Sequence, residues 1–116
     1  MTSSNAADLL GSLQIHVMRH VWRLGSASVQ QVADHRNEEL VRLGSHRLAY
    51  TTYLTVLRNL TKRGFLKQER GAGRSHMFSP LVSQLEYRER VVSWAIEHFD
   101  GDADLLKTII DQVIVK

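Results

Sequence analysis

Between Ala49 and His76 the hydrophobic period of the chain changes once, with no linker between the two regimes. Tyr53, Val56, Leu57 and Leu60 recur at i, i+3, i+4 and i+7, which predicts a helix from Tyr50 onward, closed by Gly64 as a left-handed cap. Phe65-Leu66-Lys67-Gln68-Glu69-Arg70 and Ser75-His76-Met77-Phe78 then read as two strands around Gly71-Ala72-Gly73-Arg74, where the glycines permit the turn. A helix that runs straight into a hairpin admits few folds. With two helices ahead of it, the arrangement is a winged helix.

The upstream sequence supplies those two helices. Leu13, Val17, Met18, Val21 and Trp22 form one apolar stripe with Arg19 and Arg23 turned outward, and Leu24-Gly25 ends it. Ser28 and Gln31 make an S-x-x-Q capping box for a second helix burying Val29, Val32 and Ala33. Its end is open: Glu38 to Leu43 either continue the helix to Gly44 or form a loop, and Gly44-Ser45-His46-Arg47 is a connection.

Downstream, Pro80 breaks the chain, and Ser83 with Glu86 makes another capping box for a helix burying Leu85, Val92, Ala95, Ile96 and Phe99 up to Asp100-Gly101. A last helix carries a wide stripe of Leu105, Leu106, Ile109, Ile110, Val113 and Ile114. So apolar a face needs a surface to cover it, and a second copy of the chain supplies one; the alternative is that it folds back on its own body. The expected fold is therefore mainly α with a small β-hairpin: a winged helix-turn-helix DNA-binding domain over residues 8–80, followed by a helical dimerisation segment over 81–116.

Burying one side of the third helix fixes the other. Thr51, Thr52, Thr55, Arg58, Asn59 and Lys62 point outward, giving short hydroxyls first, then an amide and cations. Small side chains allow close approach to base edges, and Arg or Asn can make paired hydrogen bonds to guanine or adenine. The wing would carry Arg70 and Arg74 to the phosphates beside the groove. The bland alternative is a solvated amphipathic helix. Charge favours the groove: seven Lys/Arg fall between Arg47 and Arg74 against Glu69 alone. Residues 1–80 hold 11 Lys/Arg and 5 Asp/Glu, whereas 81–116 hold 4 and 7, so the two parts carry +6 and −3. A basic body releases counterions on binding a polyanion, and an acidic tail faces away from it. Double-stranded DNA fits this polarity better than a membrane does.

Other chemistry is poorly represented. The 116 residues include no cysteine, which excludes disulfides, thiolate zinc sites and a cysteine nucleophile. No apolar run approaches the roughly 20 residues needed to span a bilayer, and the N-terminus lacks a signal-peptide pattern, so a cytoplasmic protein is expected. His16 and His20 stand at the i, i+4 spacing that lets two imidazoles share a metal, but no third ligand is near them and Arg19 lies between. They read as exposed helical histidines. His35, His46, His76 and His98 are scattered, no catalytic triad or carboxylate pair is evident, and Trp22 and Trp94 read as core anchors. Neither an enzyme nor a cofactor is expected.

Four segments in register resemble the BlaI/MecI family of penicillinase and methicillin-resistance repressors, over Leu10 to about Ile110. LGSLQIHVMRHVW resembles the family's L-G-x-L-E-x-x-V-M-x-x-W opening, with Gln14 in place of Glu; AYTTYLTVLRNLTKRGFL resembles its recognition helix A-Y-T-T-V-x-T-V-L-x-R-L-x-K-K-G-L; ERGAGRSHMFSP resembles its wing; and FDGD resembles F-x-G-S at the end of the fourth helix. The resemblance implies a homodimeric winged-helix repressor of an inverted-repeat operator, inactivated in classical members by proteolysis once a sensor protease detects a β-lactam. Asn59 stands where the family usually has Arg, Tyr53 replaces a smaller β-branched residue, and the chain stops where a third dimerisation helix is expected. No Asn-Phe pair resembles the known cleavage site, and the C-terminal cysteine hook of copper-responsive relatives is absent. A second reading is a winged-helix protein-interaction module that acts through another regulator by its apolar last helix.

Overall fold

The computed structural model describes residues 9–70, 75–98 and 102–114, without the side chains of the last two. Its elements run α1 (Ser12–Leu24), α2 (Val29–Arg42), α3 (Tyr50–Lys62), β1 (Leu66–Arg70), β2 (His76–Pro80), α4 (Gln84–His98) and α5 (Ala103–Ile114). Leu10–Gln84 forms one compact unit, and Leu85 onward belongs to a second.

The first unit is three helices and a hairpin around one core. Val17, Met18 and Val21 from α1, Val32 from α2, Tyr53, Leu57 and Leu60 from α3, and Phe65, Leu66 and Phe78 from the hairpin are essentially inaccessible to water. Local chemistry sets both ends of α2 and the end of α3. Ser28 Oγ accepts from the Gln31 N–H at 3.1 Å while Gln31 Oε1 accepts from the Ser28 N–H at 2.8 Å, so the capping box starts α2 as its spacing predicts. Of the two endings open to α2, the longer is realised: the helix reaches Arg42, and Gly44 turns the chain at φ 76°. Gly64 closes α3 at φ 82°, letting the Phe65 N–H donate back to the Leu60 carbonyl at 2.9 Å.

The hairpin is antiparallel, with Leu66 opposite Pro80, Gln68 opposite Phe78 and Arg70 opposite His76. The second strand extends past Phe78 to Pro80, and the Leu81 N–H then bonds the Phe65 carbonyl at 2.9 Å. Strand β2 also has a partner on its other edge: Ala27 and Phe78 exchange both backbone hydrogen bonds, at 2.9 and 2.8 Å. This bridge ties the wing to the α1–α2 connection, and the Trp22 indole N–H fastens the exit by donating to the Val82 carbonyl at 2.9 Å.

In the second unit two expectations change. Leu85 and Val92 lie on the face of α4 expected to be buried, yet they are 66% and 52% exposed. Helical spacing shows that a face is apolar, but burial needs an opposing surface as well. Trp94 is only half-buried, stacked on His98 with ring centroids 4.1 Å apart, and its indole Nε1 is enclosed with no partner among the described residues. Phe99 and Asp100-Gly101 lie outside the described residues.

Candidate nucleic-acid interface

On α3 the buried side chains of Tyr53, Val56, Leu57 and Leu60 force the remaining positions outward. Thr51, Thr55, Arg58, Asn59 and Lys62 are exposed and Thr52 is half-buried, so all six candidate reading residues share the free side of one helix. Arg70 is exposed at the end of β1, next to the turn. Arg74 lies outside the described residues, as do the turn glycines.

The hairpin stands beside this face and shapes it. Arg58 on α3 shares a cleft of about 420 Å3 with Gln68, Ser75 and His76 of the wing, and with Ser28 and Gln30 at the start of α2. These wing and α2 groups were not legible as site residues in the sequence. The capping box located the start of α2, but nothing local in the sequence announces the Ala27–Phe78 bridge that brings the wing alongside it. Polar donors therefore converge from three elements on the exposed side of α3. The hairpin's single acid is already engaged, since Glu69 Oε1 lies 2.6 Å from Lys67 Nζ and this hydrogen bond holds the ammonium above its usual range. Both groups are exposed, so the pair adds little stability.

A second polar cluster lies between α1 and α2 and has a different character. His20 is buried, not exposed as its helical spacing suggested, with Nε2 3.5 Å from Glu39 Oε1 and its ring 6.2 Å from that of His35. The buried Arg36 binds the same Glu39 oxygen through Nη1. Burial keeps His20 below its ordinary value despite the attraction of Glu39, whose own carboxyl is held low chiefly by its hydrogen bond from Arg36. Among the described residues no three His, Asp or Glu side chains come together as a metal site. The cluster fastens two helices together, and its polarity was hidden in the sequence because residues 20 and 39 meet only after α1 and α2 pack.

The family model of the penicillinase repressors matches residues 10–113. The chain belongs to the penicillinase repressor family. Among solved structures, the hsRosR-S4 complex superposes with a TM-score of 0.61 at 15% identity, covering 99% of this chain and 100% of that one. The hsRosR-S1 complex gives 0.60 at 15% identity, covering 97% and 100%. At that identity the likeness concerns fold alone, and the fold is the winged helix. No curated protein matches the chain. Family and fold together make this penicillinase repressor relative a DNA-binding transcriptional regulator and not an enzyme, which agrees with the resemblance carried by the α1, α3 and wing segments. No helix among the described residues is long and apolar enough to cross a membrane.

Proposed function

We propose that the protein represses transcription as a homodimer on an inverted-repeat operator, inserting α3 of each copy into the major groove. Thr51, Thr52, Thr55, Arg58 and Asn59 face base edges, while Lys62, Arg70 and Arg74 hold phosphates. The observation that carries this reading is the single exposed face of α3, hydroxyl-rich at its start and cationic toward its end, with the wing alongside. Short hydroxyls suit close approach to bases, and longer cations suit the backbone. The dimer is formed by Leu105, Leu106, Ile109, Ile110, Val113 and Ile114 of α5. A sensor protease that inactivates the repressor is the further partner that family membership brings to this reading.

The two classes of contact respond differently to substitution. Thr55→Ala or Arg58→Ala should weaken binding to a selected duplex by about 1–3 kcal/mol and relax preference at one position, with little effect on random duplex. Arg70→Ala should weaken both DNAs alike and lower the salt slope by about one unit. Gel-shift titrations at several salt concentrations separate them. Equal losses on both DNAs from every variant would remove base reading from α3, and no binding to either DNA would favour an interaction module that works through another regulator.

A further inference from the structure

Asn37 sits in the second half of α2, but its side-chain amide serves the segment that leads into α3. Nδ2 donates to the Leu48 carbonyl at 3.0 Å, and Oδ1 accepts from the Leu48 N–H at 2.8 Å. The same Oδ1 accepts the Tyr53 hydroxyl at 2.7 Å. Both acceptor positions of the amide oxygen are thus filled. Leu48 lies two residues before the first residue of α3, and Tyr53 lies in its first turn. One side chain therefore holds the chain on both sides of the point where α3 begins.

Besides Asn37, the start of α3 is held by the ring of Tyr53, which is fully buried in the core. The N-cap of α3 is Ala49, whose side chain cannot accept from the free N–H groups of the first turn, and Gly44 to Arg47 ahead of it are exposed. Farther along, Val56, Leu57 and Leu60 fix the body of the helix in the core without help from Asn37. Losing the amide would leave α3 formed and docked but free Leu48 and the Tyr53 hydroxyl, loosening the entry into its first turn. That turn carries Thr51, Thr52 and, one step on, Thr55.

We propose that Asn37 is a positioning residue for DNA reading: by clamping Leu48 and Tyr53 it sets the depth and tilt at which the threonines of α3 meet the bases. The proposal rests on the reading of α3 as the DNA-contacting helix. Base-edge hydrogen bonds work only over a few tenths of an ångström, whereas cations such as Lys62 and Arg70 attract phosphates over several. Loosening the entry into the first turn should therefore reduce sequence discrimination and spare non-specific affinity. Tyr53→Phe deletes one of the three hydrogen bonds and leaves the Leu48 clamp intact. Asn37→Asp keeps the shape and both acceptors but sets a carboxylate oxygen against the Leu48 carbonyl.

The test compares a duplex selected by the wild-type protein from a random-sequence pool with a scrambled duplex of the same length. Asn37→Ala and Asn37→Asp should each lower the ratio of the two affinities by about tenfold or more, with scrambled-duplex binding changed by no more than about twofold. Tyr53→Phe should retain most of the ratio. Amide exchange at Leu48 should accelerate in Asn37→Ala, which removes its acceptor, and stay slow in Tyr53→Phe. A wild-type ratio in either folded Asn37 variant, beside a Thr55→Ala control that does lose discrimination, would overturn the positioning role while leaving DNA reading intact. A wild-type protein that selects no sequence from the pool would overturn the reading of α3 itself, and this inference with it.

Discussion

At the scale of single residues, the cluster of His20, Arg36 and Glu39 makes fold stability depend on pH. Burial lowers His20, with smaller contributions from Arg23 and His35, and it outweighs the pull of Glu39. Burial also lowers His16, helped by repulsion from Arg36 and Arg19. In the unfolded chain both rings take up a proton near 6.5. Just below that value the unfolded state binds more protons than the folded one, so stability is full above about 6.5 and falls as pH drops toward the lowered folded values. Glu39 acts in the same direction at lower pH, its contribution being present above 4.5 and lost as pH falls through its lowered value. The midpoint of thermal unfolding should therefore decline between pH 7.5 and 5, and His20→Gln, which cannot gain a proton, should flatten that decline. Thermal melts across this range check it, and an unchanged slope in the variant would assign the effect elsewhere. None of this was visible in the sequence. The i, i+4 pair His16/His20 resembled a solvated surface, because burial of His20 depends on Arg36 and Glu39 from another helix.

At the scale of elements, the α3–wing junction shows why this part of the molecule was readable. The helix period of Tyr53, Val56, Leu57 and Leu60, the stop at Gly64 and the two short strands after it are all local signals, and each appears in the fold, with only the strand bounds shifted by one or two residues. Gly64 has open space around it, so its cost on substitution is conformational: at φ 82° an added Cβ is strained whatever the room available. Gly64→Ala should lower stability by about 1–2 kcal/mol and move the urea midpoint without changing the slope. A midpoint unchanged within error would mean that the junction relaxes to another turn. What local signals could not supply was how elements meet: the Ala27–Phe78 bridge, the Asn37 clamp and the α3–wing cleft all join residues distant in sequence. The exposed face of α3 was legible because it is the complement of a core stripe. The polar groups that surround it were not.

At the scale of the whole molecule, charge and apolar surface are divided between the two parts of the chain. Residues 1–80 carry +6 and residues 81–116 carry −3, so the first part suits a polyanion and the second repels one. The second part also holds apolar side chains that one chain leaves open: in α5, Leu105, Ile109 and Ile110 are 47%, 37% and 44% exposed, while Leu106 is half-buried. The side chains of Val113 and Ile114 lie outside the described set. Covering this stripe with its counterpart from a second copy would contribute several kcal/mol at ~25 cal/mol per Å2 of apolar surface. Ile110 is the position to test, because it is among the exposed large apolar side chains of α5. Ile110→Asp should convert a dimer to a monomer in sedimentation equilibrium while the winged-helix unit, residues 10–84, keeps its unfolding transition. Two bodies joined as a dimer read two half-sites at once, so separating them removes the effective concentration of the second body. Affinity for a two-fold-repeat duplex should then fall by a factor on the order of 100 or more, and affinity for a single half-site should stay the same. A wild-type protein that is monomeric at micromolar concentration, together with unchanged binding to the repeat by the variant, would show that α5 serves something other than self-association.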